Sequence, residues 1–327
     1  MFVNGSTARV FTAGRRLLAC LLALALSALP GLAAPALGEG KVFAPGETEP
    51  FSPDAKLLTV RVAGMKTGDC MLLTLGEASM LADLGTGSGM DKIREMLDTA
   101  GLTGVDCFCN THPHEDHLGG FMPLVQSGFP IGSLITFFDH DYIAPSAVQV
   151  QGMRTAEEWH VPVIDHKTED VIDFSGASIT FYRLLPEKKY SWKLSCNDLS
   201  AMMKICYGDC SILLTGDVEV RSQGVLARQY DLKADILKVP HHGVSKMELN
   251  FLGNVDPEYA FVTGGANGSE AALKQLKRRD VRRVSFSPWG MITMQTDGTK
   301  WIVSQDVDPE MNDFIERFKY NHPWWIF

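Results

Sequence analysis

The segment that most constrains this chain runs from Asn110 to Gly120 and reads NTHPHEDHLGG. Three histidines and an aspartate follow the largely apolar run 105–109, and two glycines come after them. This order predicts a strand that ends in a tight loop and then a helix. Imidazole nitrogens and carboxylate oxygens are the ligands that zinc and similar first-row metals take in proteins. The segment therefore predicts a metal-binding loop.

Spacing within the loop suggests two groups of ligands. Alternate positions of an extended chain point the same way, so His112 and His114 are expected to share one ion. Asp116 and His117 would then face a second ion. Farther along, residues 201–206 and 211–215 predict a hairpin, with Asp217 just beyond its second strand. The two oxygens of a carboxylate match a metal separation of about 3.5–4 Å, so this aspartate is expected to bridge the ions.

A pair of histidines follows the next predicted strand, residues 235–239. His241 and His242 come directly after Pro240, which ends that strand. Successive side chains of an extended chain point to opposite sides. The two histidines are therefore not expected to share one ion.

Together these segments resemble the metallo-β-lactamase superfamily, and most closely its ComEC-type branch of DNA-uptake proteins. The narrower resemblance rests on five stretches in the family's order, which are residues 62–70, 80–87, 213–217, 237–243 and 290–301. The resemblance implies an α/β fold of the metallo-β-lactamase αββα type, in which two mixed sheets are flanked by helices. It also implies that Asp83 supports the metal loop through hydrogen bonds.

The resemblance further implies roles for the two histidines and for a loop near residue 197. His242 aligns with the family's histidine ligand, and His241 would then face the substrate; the reverse assignment stays open. Residues 195–200, SCNDLS, are close to the branch's Asn-x-x-Ser pattern and lack the loop histidine of the wider superfamily. One metal site is then short of a ligand, which water, substrate or Asp198 would complete. Asn197 and Ser200 would position substrate or brace the bridging carboxylate, or simply form a turn.

The first residues predict a signal for export, and the last residues predict a helical tail. Residues 1–34 carry Arg15 and Arg16, an apolar run and then small residues, as in a signal peptide, with an uncleaved anchor as the alternative. Residues 35–55 are predicted to be a linker, 56–305 the hydrolase domain and 306–327 a helical, aromatic tail. No channel-like apolar stretch follows the leader, so no transmembrane transporter segment is expected in the chain.

Composition limits the partners. The net charge is −9, which argues against a generally basic surface for binding nucleic acid.

Within the domain, residues 91–100 and 146–158 are predicted to be helices.

The predicted site favours hydrolysis by a metal-activated water. One ion would be held by His112, His114 and Asp217, and the other by Asp116, His117, His242 and Asp217. Asp116 would also orient the water, while His241 would stabilise or protonate the leaving group. Zinc is expected in two sites, one of them weak, with manganese or iron as alternatives.

The resemblance favours a phosphodiester substrate, such as extracellular DNA, a nucleotide or a cell-wall polymer, and a secreted or envelope-associated enzyme. A lactamase or lactonase is one alternative. A non-catalytic binding protein of the cell wall or of DNA uptake is another.

Overall fold

The chain forms two sheets in succession, and its last hairpin returns to the first sheet. The computed structural model describes residues 42–138 and 142–325, so the predicted signal peptide lies outside the described residues. Within those residues the first sheet has the order β1-β16-β15-β2-β3-β4-β5-β6-β7. Its strands are β1 (Val42–Phe43), β2 (Leu58–Val62), β3 (Cys70–Leu75), β4 (Ala78–Leu84), β5 (Cys107–Cys109), β6 (Leu134–Thr136), β7 (Val163–Asp165), β15 (Gly290–Thr296) and β16 (Trp301–Val307).

The second sheet has the order β14-β13-β12-β11-β10-β9-β8. Its strands are β8 (Val171–Phe174), β9 (Ala177–Tyr182), β10 (Met202–Tyr207), β11 (Cys210–Leu214), β12 (Ile236–Lys238), β13 (Tyr259–Val262) and β14 (Arg283–Phe286). Both sheets are mixed, because antiparallel neighbours give way to the parallel series β4-β5-β6-β7 in one and β11-β12-β13-β14 in the other. The predicted hairpin is present, with Met203 opposite Leu214.

Helices cover the outer faces of both sheets. They are α1 (Met90–Thr99), α2 (Glu115–Leu118), α3 (Phe121–Gln126), α4 (Ala147–Glu158), α5 (Val220–Gln229), α6 (Leu249–Val255), α7 (Glu270–Arg278) and α8 (Asn312–Asn321). One apolar cluster fills the space between the sheets, and it joins Val60 and Leu73 of the first to Ile212 and Phe261 of the second. Two further clusters lie under the helices. The predicted αββα architecture is therefore confirmed.

Alternating burial explains why the strands form where they do. In β9, inward residues such as Ile179 and Phe181 are fully buried and alternate with partly exposed ones, as expected for a strand with one face on the core. Burial of such side chains away from water is the main favourable contribution to folding.

Both ends of the described chain pack on the fold. Within the predicted linker, Val42 and Phe43 form a strand that pairs in parallel with Trp301 and Ile302. In the tail, Phe318 of α8 is buried, and its ring lies 5.5 Å from that of Trp289. The described residues contain no helix with both the length and the apolar character to cross a membrane.

Candidate metal centre

The predicted ligands converge where strands of the two sheets end. The loop that carries His112, His114 and His117 follows β5 of the first sheet, whereas Asp217 follows β11 and His242 follows β12 of the second. Each of these strands lies next to a parallel neighbour, and the carboxyl ends of parallel strands meet at one edge. The fold thus brings together residues that lie far apart in the sequence.

A β-bulge aims the carboxylate of Asp83 at the metal loop. Opposite the Cys70–Met71 step of β3, this residue is inserted between Leu84 and Ala82, and its φ is +53°. Its Oδ1 accepts the backbone N–H of Thr111 at 2.8 Å and the side-chain amide of Asn110 at 3.0 Å. Its Oδ2 lies 2.7 Å from Nδ1 of His117. Asp83 thus makes the contacts that the predicted supporting role requires.

Four imidazoles surround one oxygen of Asp217. Its Oδ2 lies 3.2 Å from Nε2 of His117 and 3.3 Å from Nε2 of His242. The same oxygen is 3.7 Å from Nε2 of His241 and 3.9 Å from Nε2 of His112. Asp217 is 1% exposed, so the carboxylate is buried among these rings.

The remaining predicted ligands lie on either side of that carboxylate. On one side, Nδ1 of His114 is 3.1 Å from Nε2 of His112. On the other, Oδ2 of Asp116 is 3.1 Å from Nε2 of His242. The six predicted ligands therefore lie close together in the structure; their division between two ions and their binding of metal stay predictions.

Asp69 also belongs to this cluster. Single ligand atoms of Asp69, His117, Asp217 and His242 all lie within 4.8 Å of one another, close enough for a metal ion. However, Asp69 faces Nδ1 of His242 at 3.1 Å and Nδ1 of His117 at 3.8 Å, whereas Asp217 faces Nε2 of both rings. Asp69 thus lies on the side of the rings away from Asp217. The hydrogen bonds to their Nδ1 atoms come from Asp83 for His117 and from Thr263 for His242.

A fully buried lysine is paired with Asp69. Nζ of Lys238 lies 2.6 Å from Oδ2 of Asp69 and 3.9 Å from Oδ1 of Asp217. It also donates a hydrogen bond to the carbonyl oxygen of Gly216 at 2.9 Å. Lys238 and Asp69 are both 0% exposed. A buried carboxylate needs such a partner, because an unpaired buried charge is costly.

Glycine allows the loop that carries Asp69 to approach the metal loop. Gly68 has a φ of +95°, and a Cβ on it would lie only 2.6 Å from the carbonyl oxygen of Asp116. The backbone N–H of Asp69 donates to that same oxygen at 3.0 Å. Any larger residue at position 68 would therefore separate the two loops.

The residues present fit a metal ion. Nε2 of His117, Nε2 of His242 and Oδ1 of Asp217 are buried, and none of them has a hydrogen-bond partner. The close contacts of the two Nε2 atoms with carboxylate oxygens are therefore not aligned as hydrogen bonds. Buried polar groups without hydrogen bonds are uncommon, and an unfilled ion site is one explanation for them. Imidazole and carboxylate donors suit zinc, manganese or iron.

In the metal-free chain, protonated histidines balance the negative charge of the buried carboxylates. Burial lowers the pKa of His117, but Asp217, Asp83 and Asp69 outweigh burial and raise it to about 10. Burial also lowers the pKa of His242, yet Asp69 and other nearby carboxylates raise it to about 12. Both rings are thus imidazolium near neutral pH, and an ion that binds their Nε2 atoms must displace a proton from each.

The other group of histidines is electrostatically different. Burial, followed by the charge of His117, lowers the pKa of both His112 and His114. Burial raises the pKa of Asp116, but its 3.1 Å contact with His242 and the charge of His117 lower it to about 2. His112 and His114 are therefore neutral and ready to bind a metal, while Asp116 is ionised.

The two consecutive histidines correct one premise of the sequence analysis. His241 and His242 are not extended, because their φ angles are +50° and +52°. The rule that successive side chains point apart therefore does not apply, and Nε2 of both rings lies within 4 Å of Asp217. His241 is still distinct, since its side chain is 27% exposed and its Nδ1 lies 3.3 Å from Oε1 of Glu219.

Two residues of the loop at residue 197 make different contacts with the site. Asn197 places its Nδ2 3.4 Å from Oε1 of Glu219 and 3.5 Å from Nε2 of His241. Ser200 is fully buried, and its hydroxyl accepts the backbone N–H of Asp217 at 3.3 Å, so it braces that carboxylate.

Asp198 is not brought to the imidazole cluster. Its Oδ2 accepts from the backbone N–H and the hydroxyl of Ser195, both at 2.9 Å, and its Oδ1 accepts from the hydroxyl of Ser222 at 2.6 Å. These contacts give no support to the expectation that Asp198 completes a metal site.

Sequence reasoning missed three residues of the site. Asp69 lies in residues 62–70 and Lys238 in the predicted strand 235–239, but neither was assigned a role there, and Glu219 was not among the predicted site residues. For Lys238 a signal was present, since a lysine inside the apolar run 235–239 needs a buried partner.

By its fold and its site, the chain is an αββα protein with a candidate metal centre, rich in histidine and aspartate, between its sheets. The chain is 26% identical over 227 residues to the competence protein ComA of Neisseria gonorrhoeae, across 68% of this chain and 29% of that protein. It is 27% identical over 195 residues to the ComE operon protein 3 of Bacillus subtilis (strain 168), across 57% of this chain and 24% of that protein. The chain thus spans less than a third of the length of these relatives.

These relatives confirm the resemblance to competence proteins that the motifs indicated. A search of family models finds no match. Among solved structures, the metallo-β-lactamase fold protein YhfI of Bacillus subtilis is 14% identical, with a TM-score of 0.47, across 70% of this chain and 96% of that one. A score of this size bears on neither the mechanism nor the substrate of this chain.

Proposed function

We propose that this chain is an exported metal-dependent hydrolase that cleaves phosphodiester bonds. One observation carries the proposal: Oδ2 of the buried Asp217 has the Nε2 atoms of four histidines within 4 Å. A carboxylate so placed suits a pair of ions, one on each side.

We assign the ligands to two ions. His112 and His114 with Asp217 would hold one ion, and Asp116, His117 and His242 with Asp217 the other. Zinc is the metal these donors favour, with manganese or iron as alternatives. When bound, such ions supply a Lewis acid and lower the pKa of water toward neutrality. The site without the loop histidine is the weaker of the two.

The chain's own residues supply orientation and proton transfer. The side chain of Asp116 is 36% exposed, so it faces the cleft and can accept a hydrogen bond from the attacking water. His241 is also partly exposed, and Oε1 of Glu219 lies 3.3 Å from its Nδ1, where it can orient the ring. Its Nε2 can then give a proton to the departing oxygen. Asn197 lies beside both residues and fixes their orientation.

The resemblance and the relatives support the proposed substrate class. Two competence proteins match the chain, which favours extracellular DNA, a nucleotide or a cell-wall polymer over a lactam. A lactamase or lactonase is disfavoured because the loop histidine of those enzymes is replaced here by residues 195–200. A non-catalytic wall or DNA-uptake protein is disfavoured because the full set of predicted ligands converges.

Turnover measured on three substrates in parallel tests the proposal. Purified protein without its first 34 residues would be assayed on bis(p-nitrophenyl) phosphate, nitrocefin and a simple lactone, with zinc or manganese and with chelator. Diester cleavage that chelator removes and metal restores is expected. Cleavage of only the lactam or lactone would overturn the substrate class, and no turnover with metal bound would favour the non-catalytic alternative.

A further inference from the structure

A long loop beside the candidate metal centre carries a group of basic side chains. Residues 183–196 form neither α-helix nor strand, and a stretch of irregular chain this long is uncommon in a compact domain and often functional. Within it, residues 187–193 read EKKYSWK, and we call them the basic loop. Lys188, Lys189 and Lys193 are all exposed. The basic loop therefore presents three cations to solvent.

The basic loop is joined to the site in two ways. Along the chain, it ends four residues before Asn197, so the two Cα positions are at most about 14 Å apart, and Asn197 lies 3.5 Å from His241. Across space, the guanidinium of Arg221 lies 5.9 Å from the ring centroid of Trp192. Arg221 is exposed and comes two residues after Glu219, which contacts His241 at 3.3 Å. The basic loop and Arg221 thus border the His241 side of the centre.

The basic side chains of this surface are not neutralised by carboxylates. In the part of the chain that the structure describes, none of the three lysines forms an ion pair, and neither does Arg221. Glu187 is the one acidic residue of the basic loop, so the loop carries a net charge of +2 from three lysines and one glutamate. Because no carboxylate must first be displaced, these cations are available to an anionic ligand.

A second basic group provides a contrast. It lies on and just after α7 and consists of Lys274, Lys277, Arg278, Arg279, Arg282 and Arg283. Three of its members form ion pairs with carboxylates at 2.6–3.6 Å. Because β13 and β14 are parallel, α7 between them runs back toward the edge of the sheet opposite the metal centre. This group is therefore both more neutralised and farther from the site.

We propose that the basic loop and Arg221 bind the phosphates of a single-stranded nucleic acid whose scissile diester lies at the metal centre. The inference rests on the proposed function and deepens it by naming the substrate class. Since His241 is placed to protonate the departing oxygen, this surface holds the part of the strand that leaves. The chain has a net charge of −9 and repels a polyanion, so a local group of cations is needed to hold one near the site.

The chemistry of the surface favours a single strand over other phosphodiester polymers. Tyr190 and Trp192 are partly exposed, and their ring centroids lie 5.1 Å apart. Proteins that bind single strands combine basic side chains with aromatic rings on which bases stack. A duplex is stiff and needs a broad basic face, which an acidic chain with one short basic loop does not offer. A wall polymer of glycerol phosphate has no flat bases for the rings to contact.

Binding of a short fluorescein-labelled oligothymidylate tests the proposal. Fluorescence anisotropy would be measured over a series of salt concentrations on the same protein as in the turnover assay, with chelator to keep the strand intact. The variant with Lys188→Gln, Lys189→Gln and Lys193→Gln should bind roughly 10- to 50-fold more weakly near physiological salt. The slope of log K against log salt should become shallower by about 2, because each phosphate contact with a single strand contributes about 0.7.

A matched control removes three charges from the second basic group. Lys274→Gln, Lys277→Gln and Arg278→Gln change the net charge by the same amount, and all three side chains are exposed. This control should weaken binding by less than about threefold, since distant surface charges are screened by salt. Equal losses in the two variants, or an unchanged salt slope in the basic-loop variant, would overturn the binding surface.

Competition identifies the polymer. Unlabelled oligothymidylate should displace the labelled strand at a lower phosphate concentration than either duplex DNA or poly(glycerol phosphate) does. Stronger displacement by the duplex or by the wall polymer would show that the single-strand assignment is wrong.

This inference and the proposed function fail separately, because binding is measured without turnover. A wild type that binds the strand through the basic loop but, with metal bound, cleaves no diester overturns the hydrolase alone. A wild type that cleaves bis(p-nitrophenyl) phosphate, with equal binding losses in the two variants, overturns the binding surface alone.

Discussion

Replacing Lys238 with methionine should destabilise this protein far more than the loss of an ordinary ion pair. Lys238 is the buried cation behind the metal centre, 2.6 Å from Asp69 and 3.9 Å from Asp217. The substitution leaves Asp69 buried without that partner. Removing one member of a buried ion pair costs about 3–5 kcal/mol. Because the protonated rings of His242 and His117 still lie 3.1 and 3.8 Å from Asp69, the loss should fall near the lower end of that range.

A surface pair provides the matched control. Nζ of Lys233 lies 3.2 Å from Asp256, and the two side chains are 41% and 60% exposed. Lys233→Met should cost about 1 kcal/mol or less, since exposed ion pairs are screened by solvent. The comparison separates loss of a lysine from loss of a buried partner.

Denaturant unfolding of chelator-treated protein measures the effect. The free energy of unfolding would be compared among wild type, Lys238→Met, Asp69→Asn and the double variant. If the two groups stabilise each other, the double variant should lose much less than the sum of the single losses. Additive losses within about 0.5 kcal/mol, or a Lys238→Met loss no larger than that of Lys233→Met, would refute the reasoning.

The remaining predictions concern metal and protons. His114→Ala should abolish hydrolysis while far-UV circular dichroism stays unchanged, because a half-buried ligand is lost and not a core residue; retained turnover would contradict the metal assignment. After mild dialysis, elemental analysis should find clearly fewer than two ions per chain, since one site lacks the loop histidine. Retention of two ions per chain would refute the prediction that one site is weak. Because the pKa values of His117 and His242 are raised to about 10 and 12 without metal, binding should release protons and its affinity should rise with pH toward 10. Calorimetry in buffers of different ionisation enthalpy would detect the release, and identical heats would exclude it.

The metal loop could be predicted because its chemistry lies in consecutive residues. Residues 110–120 carry both the ligand types and their spacing, and the strand that precedes them has a recognisable apolar pattern. The helices at 90–99 and 147–158 were predicted to within one residue at each end, because Ser146 and Gly101 mark their limits. Local signals of this kind do not depend on the rest of the chain.

The supporting residues could not be found in this way. Asp69, Lys238 and Glu219 acquire their partners only when the sheets pack, and nothing in the sequence around each residue names that partner. The conformation of His241 was misjudged for a related reason, since a left-handed backbone at a non-glycine residue is set by its tertiary contacts.

The candidate centre draws its ligands from both sheets, and this has a consequence for how the protein matures. Three histidines come from the first sheet, while Asp217 and His242 come from the second. On the proposed ligand assignment, neither sheet alone supplies the full ligand set of either ion, so metal would bind only after the two sheets have docked. A bound ion then acts as a late cross-link: it should slow unfolding strongly and leave the rate of folding almost unchanged.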